Sequence, residues 1–284
     1  MDPEALKKMF GFTRAPAIRL SLQDIPLKAQ EMAGQMSISG VQPKLSMKLD
    51  KLNAELVVSA QEGEYILKPQ QVYPHVPENE YCCMNIAESL SIAVPPHALL
   101  ALTDGSWAYL VKRFDRDGSK RIHQEDFYQI LEKKDKYGGS LEQIGDKIKE
   151  ISSVPGLDVQ LFFERVVFNF LIGNGDAHFK NFSIVYHEGR RLSPAYDLVC
   201  SKLVIPKEAD SALTLNGKND KLGRNDFDAF ARNLEIPEKI RYEKFMGKMS
   251  SIQRLIESSR LPDSSKRQFV EIVVSRFERL KISP

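Results

Sequence analysis

One stretch of the sequence is most informative about the fold: Gly-Asn-Gly-Asp-Ala-His-Phe-Lys-Asn, residues 173–181. It directly follows an apolar run, from Val159 to Leu171, that is hydrophobic on nearly all sides. Such a run is typical of a helix buried in the centre of a lobe. The two glycines permit a tight exit from that helix. The sequence therefore predicts an ordered polar loop, here called the 173–181 loop, at the C-terminus of a buried helix.

Two polar residues of this loop have a spacing that suits phosphoryl transfer. Asp176 and Asn181 fit the pattern D-x-x-x-x-N, which also occurs in protein-kinase catalytic loops. There a carboxylate orients a hydroxyl nucleophile, and an amide oxygen five positions later coordinates Mg²⁺ on the nucleotide phosphates. Asp197, beyond a predicted strand pair, is suitably placed as a second carboxylate for the metal. Alone, each residue could simply cap a turn, but the three together favour the catalytic interpretation.

Three upstream features fit the same chemistry more weakly. Lys68 closes the apolar run Tyr-Ile-Leu, where a kinase places its phosphate-binding lysine, although a lysine at a strand end is usually just solvated. Glu80 begins the following helix and could pair with Lys68, with Glu78 as a competitor for that role. Gly40 lies between serines and the next strand, where it could offer backbone N–H groups to phosphates or belong to an ordinary loop.

Composition excludes several classes of protein. The 284 residues include 40 Lys and Arg against 38 Asp and Glu, and this balance argues against a protein that coats nucleic acid. No apolar stretch approaches the roughly 20 residues of a membrane span, and the first ten residues lack the apolar core of a signal peptide. Three cysteines without C-x-x-C spacing predict reduced, buried thiols. We therefore expect a cytoplasmic globular protein with no membrane partner.

The order of predicted elements favours an α+β, two-lobed fold like that of protein kinases. We expect a small β-rich N-lobe over residues 1–113 and a larger, all-helical C-lobe over residues 114–284. Alternation and turn signals predict strands within 41–49, 64–68, 97–103 and 107–112, and a short pair at 182–186 and 191–192. Helical spacing predicts helices at about 78–91, 226–233, 237–258 and 263–281.

Eight motifs together resemble the HipA-type serine/threonine kinases of bacterial toxin–antitoxin systems. They appear in the order of that family and cover residues 37–200, although no single one would suffice. They are Ser-Ile-Ser-Gly-Val-Gln-Pro-Lys (37–44), Tyr-Ile-Leu-Lys-Pro (65–69), Glu-Asn-Glu-Tyr (78–81), Val-Lys-Arg-Phe-Asp-Arg (111–116), His-Gln-Glu-Asp-Phe (123–127), Lys-Tyr-Gly-Gly (136–139), the 173–181 loop and Pro-Ala-Tyr-Asp-Leu (194–198). The resemblance implies a HipA-like fold and the use of ATP and Mg²⁺ as cofactors.

The resemblance also implies roles for individual residues. The aspartate matching Asp176 is the catalytic base of such kinases. The residues matching Asn181 and Asp197 bind Mg²⁺, and the lysine matching Lys68 holds the ATP phosphates.

Two further segments receive roles in the same way. The segment from Lys112 to Phe114 matches the hinge that receives adenine, largely through backbone groups. His178 and Lys180 belong to the catalytic-loop motif, and Lys180 is a candidate for stabilising charge on the γ-phosphate.

The loop at residues 37–44 is the expected site of regulation. The family autophosphorylates a serine in the matching loop, which displaces the loop and prevents ATP binding. Here Ser37 and Ser39 are both candidates.

The partners are implied by a departure from the family pattern. HipA itself carries an additional N-terminal subdomain, whereas the kinase motifs begin here at residue 37. This trait and the paired serines look like HipT, the shorter kinase of three-component systems. We therefore expect a small HipS-like protein that resembles the missing subdomain and a HipB-like helix-turn-helix protein as antitoxin partners. DNA would be reached only indirectly, and the expected substrate is an aminoacyl-tRNA synthetase.

Two other functions stay open at this point. One is a small-molecule kinase of related fold, since such enzymes also use Asp and Asn in a catalytic loop. The other is a non-catalytic subunit of a repressor complex.

Overall fold

The chain folds into two compact units. The computed structural model describes residues 3–32, 44–70, 72–118 and 120–283. The first unit contains the described residues of Met1–Tyr81 and Pro95–Arg121. The second contains those of Cys82–Val94 and Ile122–Pro284.

The division differs from the predicted boundary at residue 113 in two respects. The first unit continues to Arg121, because the short hairpin of β6 and β7 belongs to it. The second unit also includes Cys82–Val94, which contains the C-terminal part of a helix that begins in the first unit. Met84 and Ile86 of this part of the helix are fully inaccessible to solvent.

The first unit is built on a five-stranded antiparallel sheet. Its elements are α1 (Pro3–Phe10), α2 (Asp24–Met32), β1 (Leu45–Asp50), β2 (Glu55–Val58), β3 (Tyr65–Pro69), the start of α3 (Val76–Ser89), β4 (His97–Ala101), β5 (Trp107–Lys112), β6 (Arg116–Asp117) and β7 (Lys120–Arg121). The strand order in the sheet is β2-β1-β3-β5-β4. This unit is β-rich, as predicted.

Alternation along β3 separates the core of this unit from a polar side chain. Leu67 is fully buried in an apolar cluster with Met47 and Leu110. Its neighbour Lys68 lies on the opposite face, because successive side chains of a strand alternate, and the register places it across from Tyr109 of β5. The same strand therefore supports the core and presents a lysine on its other face.

One strand of this sheet was not predicted. β2 pairs with β1 at the edge of the sheet, and β3, the next strand along the chain, pairs with the other side of β1. With only four residues, β2 is too short to give a clear alternation signal. The predicted strand at 107–112 is confirmed with its bounds unchanged.

The second unit combines helices with a small sheet. Its elements after α3 are β8 (His123–Asp126), α4 (Phe127–Ile130), α5 (Leu141–Ile151), α6 (Pro155–Leu171), β9 (Ser183–Tyr186), β10 (Arg190–Leu192), α7 (Arg224–Asn233), α8 (Met249–Glu257) and α9 (Asp263–Leu280). The antiparallel sheet has the order β10-β9-β8. The prediction of an all-helical lobe is therefore wrong in this detail, because the polar stretch of β8 pairs with β9 and extends the predicted strand pair to a three-stranded sheet.

A second correction concerns the helix predicted over residues 237–258. Two short 3₁₀ turns, Glu238–Ile240 and Glu243–Phe245, precede α8 instead. Gly247 interrupts the chain between them and α8, with a φ of 68° that an α-helix does not allow. Among the described residues, no helix has both the length and the apolar character that crossing a membrane would require.

The buried carboxylate of Asp158 joins α6 to the small sheet. It accepts hydrogen bonds from the Ser152 hydroxyl at 2.6 Å and from the backbone N–H of Leu192 at 3.0 Å. Arg191 Nη2 also donates to it at 3.0 Å. Because the residue is fully buried, these donors replace the water that an ionised carboxylate would otherwise need.

We expect Asp158→Ala to lower the free energy of unfolding by about 3 kcal/mol, since it leaves buried donors without an acceptor. Urea denaturation measures the loss. Glu150→Ala is the matched control, because Glu150 pairs with Lys147 at the surface, where ion pairs contribute little. Equal losses in the two variants would contradict this account of Asp158.

Candidate active site

The 173–181 loop begins where α6 ends. The chain leaves the helix through Gly173, whose φ of 70° lies in the left-handed region that favours glycine. A Cβ at this position would lie 2.9 Å from Cγ2 of Ile272 on α9. Both the backbone conformation and the lack of space thus require glycine at this position. The sequence predicted the first of these requirements.

Asp176 presents an exposed carboxylate in the middle of the loop. Its Oδ1 accepts a hydrogen bond from the Tyr137 hydroxyl, with 2.9 Å between the two oxygens. Burial raises the pKa of Tyr137, so the phenol keeps its proton and donates at neutral pH. The carboxylate thus accepts a hydrogen bond from a hydroxyl group, at a distance within the range that a general base requires.

Asn181 and Asp197 lie side by side. Nδ2 of Asn181 donates to Oδ2 of Asp197 at 3.3 Å, and Oδ1 of Asn181 accepts the backbone N–H of His178 at 2.9 Å. Asp197 has a φ of 54°, an uncommon conformation for a residue with a side chain and one that occurs more often at functional sites. The structure therefore brings together the two residues to which the sequence assigned the metal.

The donor set fits Mg²⁺ that is shared with phosphates. Asn181 and Asp197 offer amide and carboxylate oxygens, which are the hard ligands that Mg²⁺ prefers. Within the described part of the chain, no group of three or more His, Cys, Asp and Glu side chains is placed to hold a metal ion. Mg²⁺ at phosphate-transfer sites typically takes its other ligands from phosphates and water.

His178 is held as a neutral imidazole. The residue is buried, and burial lowers its pKa. Its Nε2 lies 2.9 Å from Nζ of Lys136; because an ammonium can only donate, we assign the imidazole proton to Nδ1. These contacts give His178 a part in holding the loop against the Lys-Tyr-Gly-Gly segment.

Lys180 is directed toward an aromatic ring. Its Nζ lies 4.4 Å from the ring centroid of Tyr128, within the range of a cation–π interaction. Its backbone carbonyl accepts a hydrogen bond from the Tyr196 hydroxyl at 2.9 Å. The described contacts therefore fix the backbone of Lys180 and place its ammonium beside Tyr128.

In the first unit, Lys68 forms an ion pair with Glu80. Its Nζ lies 2.6 Å from Oε1 of Glu80, and only 13% and 5% of the two side chains are exposed. Glu78, the competing partner in the sequence, lies instead 3.1 Å from Nδ1 of His75. Because desolvation largely offsets the attraction in a buried ion pair, this pair is weak as a device for stability and better suited to holding a lysine in place.

Hydrogen bonds and an ion pair hold the end of β5 and the turn that follows it. The backbone N–H groups of Lys112 and Arg113 donate to the carbonyls of Pro96 and Glu64, both at 2.8 Å. The Arg113 guanidinium forms two hydrogen bonds with the Asp115 carboxylate, at 2.9 and 2.7 Å, and this ordered turn contains Phe114.

Three of the predicted site residues lie outside the described part of the chain. They are Ser37, Ser39 and Gly40.

Sequence reasoning gave no role to several residues that contact the 173–181 loop, among them Tyr137, Ser201 and Glu208. Tyr137 was quoted only as part of a motif, without a role. Ser201 and Glu208 were not singled out, although Gly175 N–H donates to Ser201 Oγ at 2.8 Å and to Glu208 Oε1 at 3.3 Å. The motif at 136–139 was a signal for the first, whereas the other two belong to no motif.

Solved structures of kinases share this fold. One is HipA of Shewanella oneidensis MR-1 in a complex with HipB and operator DNA, with a TM-score of 0.72, 22% identity, and coverage of 98% of this chain and 79% of that chain. Another is the Helicobacter pylori proinflammatory kinase CtkA, with a TM-score of 0.60, 17% identity, and coverage of 87% and 91%. The α+β fold is thus that of HipA-like kinases, as predicted.

The sequence comparisons identify the family. Residues 36–258 match the family model of the HipA-like C-terminal domain, and this chain belongs to that family. A putative kinase of Haemophilus influenzae is 30% identical over 85% of this chain and 80% of its own length.

Two other relatives match over shorter shares. A putative kinase of Sinorhizobium fredii is 36% identical over 75% of this chain and 57% of its own length. The serine/threonine-protein kinase toxin HipA of S. oneidensis is 26% identical over 69% and 50%. The chain thus spans about half the length of these two relatives.

We expect Gly139→Ala to distort the contact between the Lys-Tyr-Gly-Gly segment and the 173–181 loop. A Cβ at Gly139 would lie 2.5 Å from Cζ of Phe179, whose ring is fully buried and has little room to move. Overpacking of this kind costs about 1–3 kcal/mol of folding free energy, measurable by chemical denaturation. Gly156→Ala is the control, since nothing lies within 4 Å of its Cβ position and it should be neutral or slightly stabilising. A Gly139→Ala variant as stable as this control would argue against the tight contact.

Proposed function

We propose that this chain is an ATP- and Mg²⁺-dependent serine/threonine protein kinase with Asp176 as its catalytic base. The observation that carries the proposal is the Asp176 carboxylate accepting a hydroxyl hydrogen bond at 2.9 Å, on the loop that also sets Asn181 beside Asp197. Membership of a family whose relatives are named kinases supports it.

The proposed reaction transfers the γ-phosphoryl group of ATP to a hydroxyl. The acceptor oxygen forms a bond to the γ-phosphorus, the bond from that phosphorus to the β–γ bridging oxygen breaks, and ADP leaves. Asp176 takes the acceptor proton. Asn181 and Asp197 would hold Mg²⁺, which supplies positive charge to the phosphates when bound.

In the first unit we assign Lys68 to the phosphates as well. Its ammonium would offset their negative charge, and Glu80 would keep it oriented. We assign the adenine to backbone groups of residues 112–114, a segment that is held in place by the hydrogen bonds from the N–H groups of Lys112 and Arg113.

Two residues of the 173–181 loop complete the proposal. Lys180 would leave the face of Tyr128 to stabilise charge on the transferred phosphoryl group. His178, neutral and bonded to Lys136, would hold the loop rather than carry a proton.

We expect Asp176→Asn to lower phosphoryl transfer by about 10²–10⁴-fold, the contribution typical of a general base. The amide preserves an acceptor for Tyr137, so the fold should be retained. The assay follows label from [γ-³²P]ATP into protein of a host lysate. Asp146→Asn, an exposed aspartate of α5, is the control and should label like the wild type.

Three outcomes of that assay separate the candidate functions. Equal labelling by wild type and Asp176→Asn would overturn the role of Asp176. Label that enters only small molecules would favour a metabolite kinase. A nucleotide-induced thermal shift without any transfer would favour a non-catalytic subunit of a repressor complex.

The proposed biological role is that of a growth-inhibiting toxin. It is supported by the relative named as a HipA kinase toxin and by the shared fold with HipA in a complex with HipB. We propose an aminoacyl-tRNA synthetase as substrate, and HipB-like and HipS-like proteins as antitoxin partners of a HipT-type kinase. Phosphoproteomics after induction of the chain, with Asp176→Asn as reference, identifies the modified protein.

We expect autophosphorylation on Ser37, Ser39 or both. A phosphate adds nearly two negative charges, and near the ATP phosphates these would weaken nucleotide binding by repulsion. Intact-mass and peptide mass spectrometry of protein incubated with ATP and Mg²⁺ should show added phosphate that Ser37→Ala/Ser39→Ala and Asp176→Asn both lack. An active wild type with neither serine modified would contradict the proposed regulation.

A further inference from the structure

Glu208 reaches the 173–181 loop from the segment that follows Asp197. Its Oε1 accepts the Ser201 hydroxyl at 2.5 Å and the backbone N–H of Gly175 at 3.3 Å. Ser201 Oγ in turn accepts the same N–H at 2.8 Å. A carboxylate and a hydroxyl thus converge on a single backbone group, one residue before Asp176.

The loop also packs tightly against this segment. A Cβ at Gly175 would lie 2.6 Å from the carbonyl oxygen of Ala209 and 2.6 Å from the carboxyl carbon of Glu208. Real Cβ contacts essentially never come so close, so only glycine allows the loop to approach. The position of Gly175 is therefore fixed by both hydrogen bonds and shape.

The segment is itself anchored. Lys202 donates its backbone N–H to the Gly173 carbonyl at 3.2 Å and its ammonium to the Glu208 carbonyl at 2.8 Å. Two residues beyond Glu208, the buried carboxylate of Asp210 forms ion pairs with Arg276, at 2.6 Å, and with Arg279, both on α9. The segment that carries Glu208 is thus anchored to α9.

We propose that Glu208, together with Ser201, is a positioning residue for Asp176: it holds the Gly175 amide and so sets where the catalytic carboxylate lies. The inference rests on the kinase function proposed above. A displacement of about 1 Å at a reacting group can cost on the order of 10²-fold in rate. Loss of the hydrogen bonds that hold Gly175 would therefore be expected to slow the reaction.

The test compares Glu208→Ala with Glu208→Gln in the full chain. The glutamine oxygen can still accept from Ser201 and Gly175, so this variant should keep kcat for phosphoryl transfer within about threefold. The alanine variant loses one of the two acceptors of the Gly175 N–H, and the Ser201 hydroxyl loses the carboxylate that orients it. Its kcat should fall about 10–100-fold with the KM for ATP unchanged. A fall in kcat alone would indicate a misplaced base, whereas a rise in the KM for ATP would indicate a damaged nucleotide site.

A second measurement does not depend on activity. Hydrogen exchange of a peptide that spans residues 172–178 should be faster in Glu208→Ala than in Glu208→Gln, because the Gly175 amide loses one acceptor and Ser201, its other acceptor, is no longer held by the carboxylate. Glu164→Ala is the matched control, since that mostly buried glutamate forms a 2.9 Å ion pair with Lys244 and has no described contact with the loop. This control should lose stability without a change in kcat or in exchange at 172–178.

The outcomes distinguish this inference from the kinase proposal. Unchanged kcat and unchanged exchange in Glu208→Ala would overturn the positioning role. An equal fall of kcat in Glu164→Ala would overturn it too, because the effect would then be general destabilisation. If the wild type transferred no phosphate, the kinase proposal would fail and the catalytic role of Glu208 with it, while hydrogen exchange would still decide whether the residue holds the loop.

Discussion

The complete burial of α6 from Phe162 to Leu171 is the constraint from which the site follows. Phe162, Phe163 and Phe168 are fully inaccessible to solvent, so the helix cannot rotate or slide without disrupting the core of its unit. Because α6 is held in place, the direction in which the chain leaves its C-terminal end is also determined. Gly173 turns the chain sharply at that point, and the polar residues of the 173–181 loop are thereby delivered to a defined place.

The loop gains its functional shape from residues far away in the sequence. Tyr137 bonds to Asp176 from a segment before α5, and Asp197 bonds to Asn181 from a segment after β10. Glu208 and Ser201 reach the Gly175 amide from still further along the chain. Each contact fixes a different part of the loop, so the loop is held at several points in addition to its own short 3₁₀ turn at Phe179–Asn181.

This distribution explains how much the sequence could predict. The apolar helix and the D-x-x-x-x-N spacing are local, so the loop and the pairing of Asn181 with Asp197 could be anticipated from residue order. The choice of Glu80 over Glu78 could not, since both begin the same helix and only the position of β3 decides which one meets Lys68. β8 and the support from Glu208 were missed for the same reason, because pairing across the chain leaves no periodic signal.

The charged side chains described in the two units are compensated to different degrees. Lys68 is held by Glu80 at 2.6 Å, so its charge is largely compensated before any phosphate arrives. In the second unit, Lys136 and Lys180 lie against His178 and the Tyr128 ring, whereas Asp176 and Asp197 bring two carboxylates to the loop. A polyanion such as ATP would meet repulsion there unless a cation came with it. The oxygen atoms of Asn181 and Asp197 would offer that cation a place, and on the proposed kinase function this is the physical reason to expect ATP and Mg²⁺ to bind to this loop together.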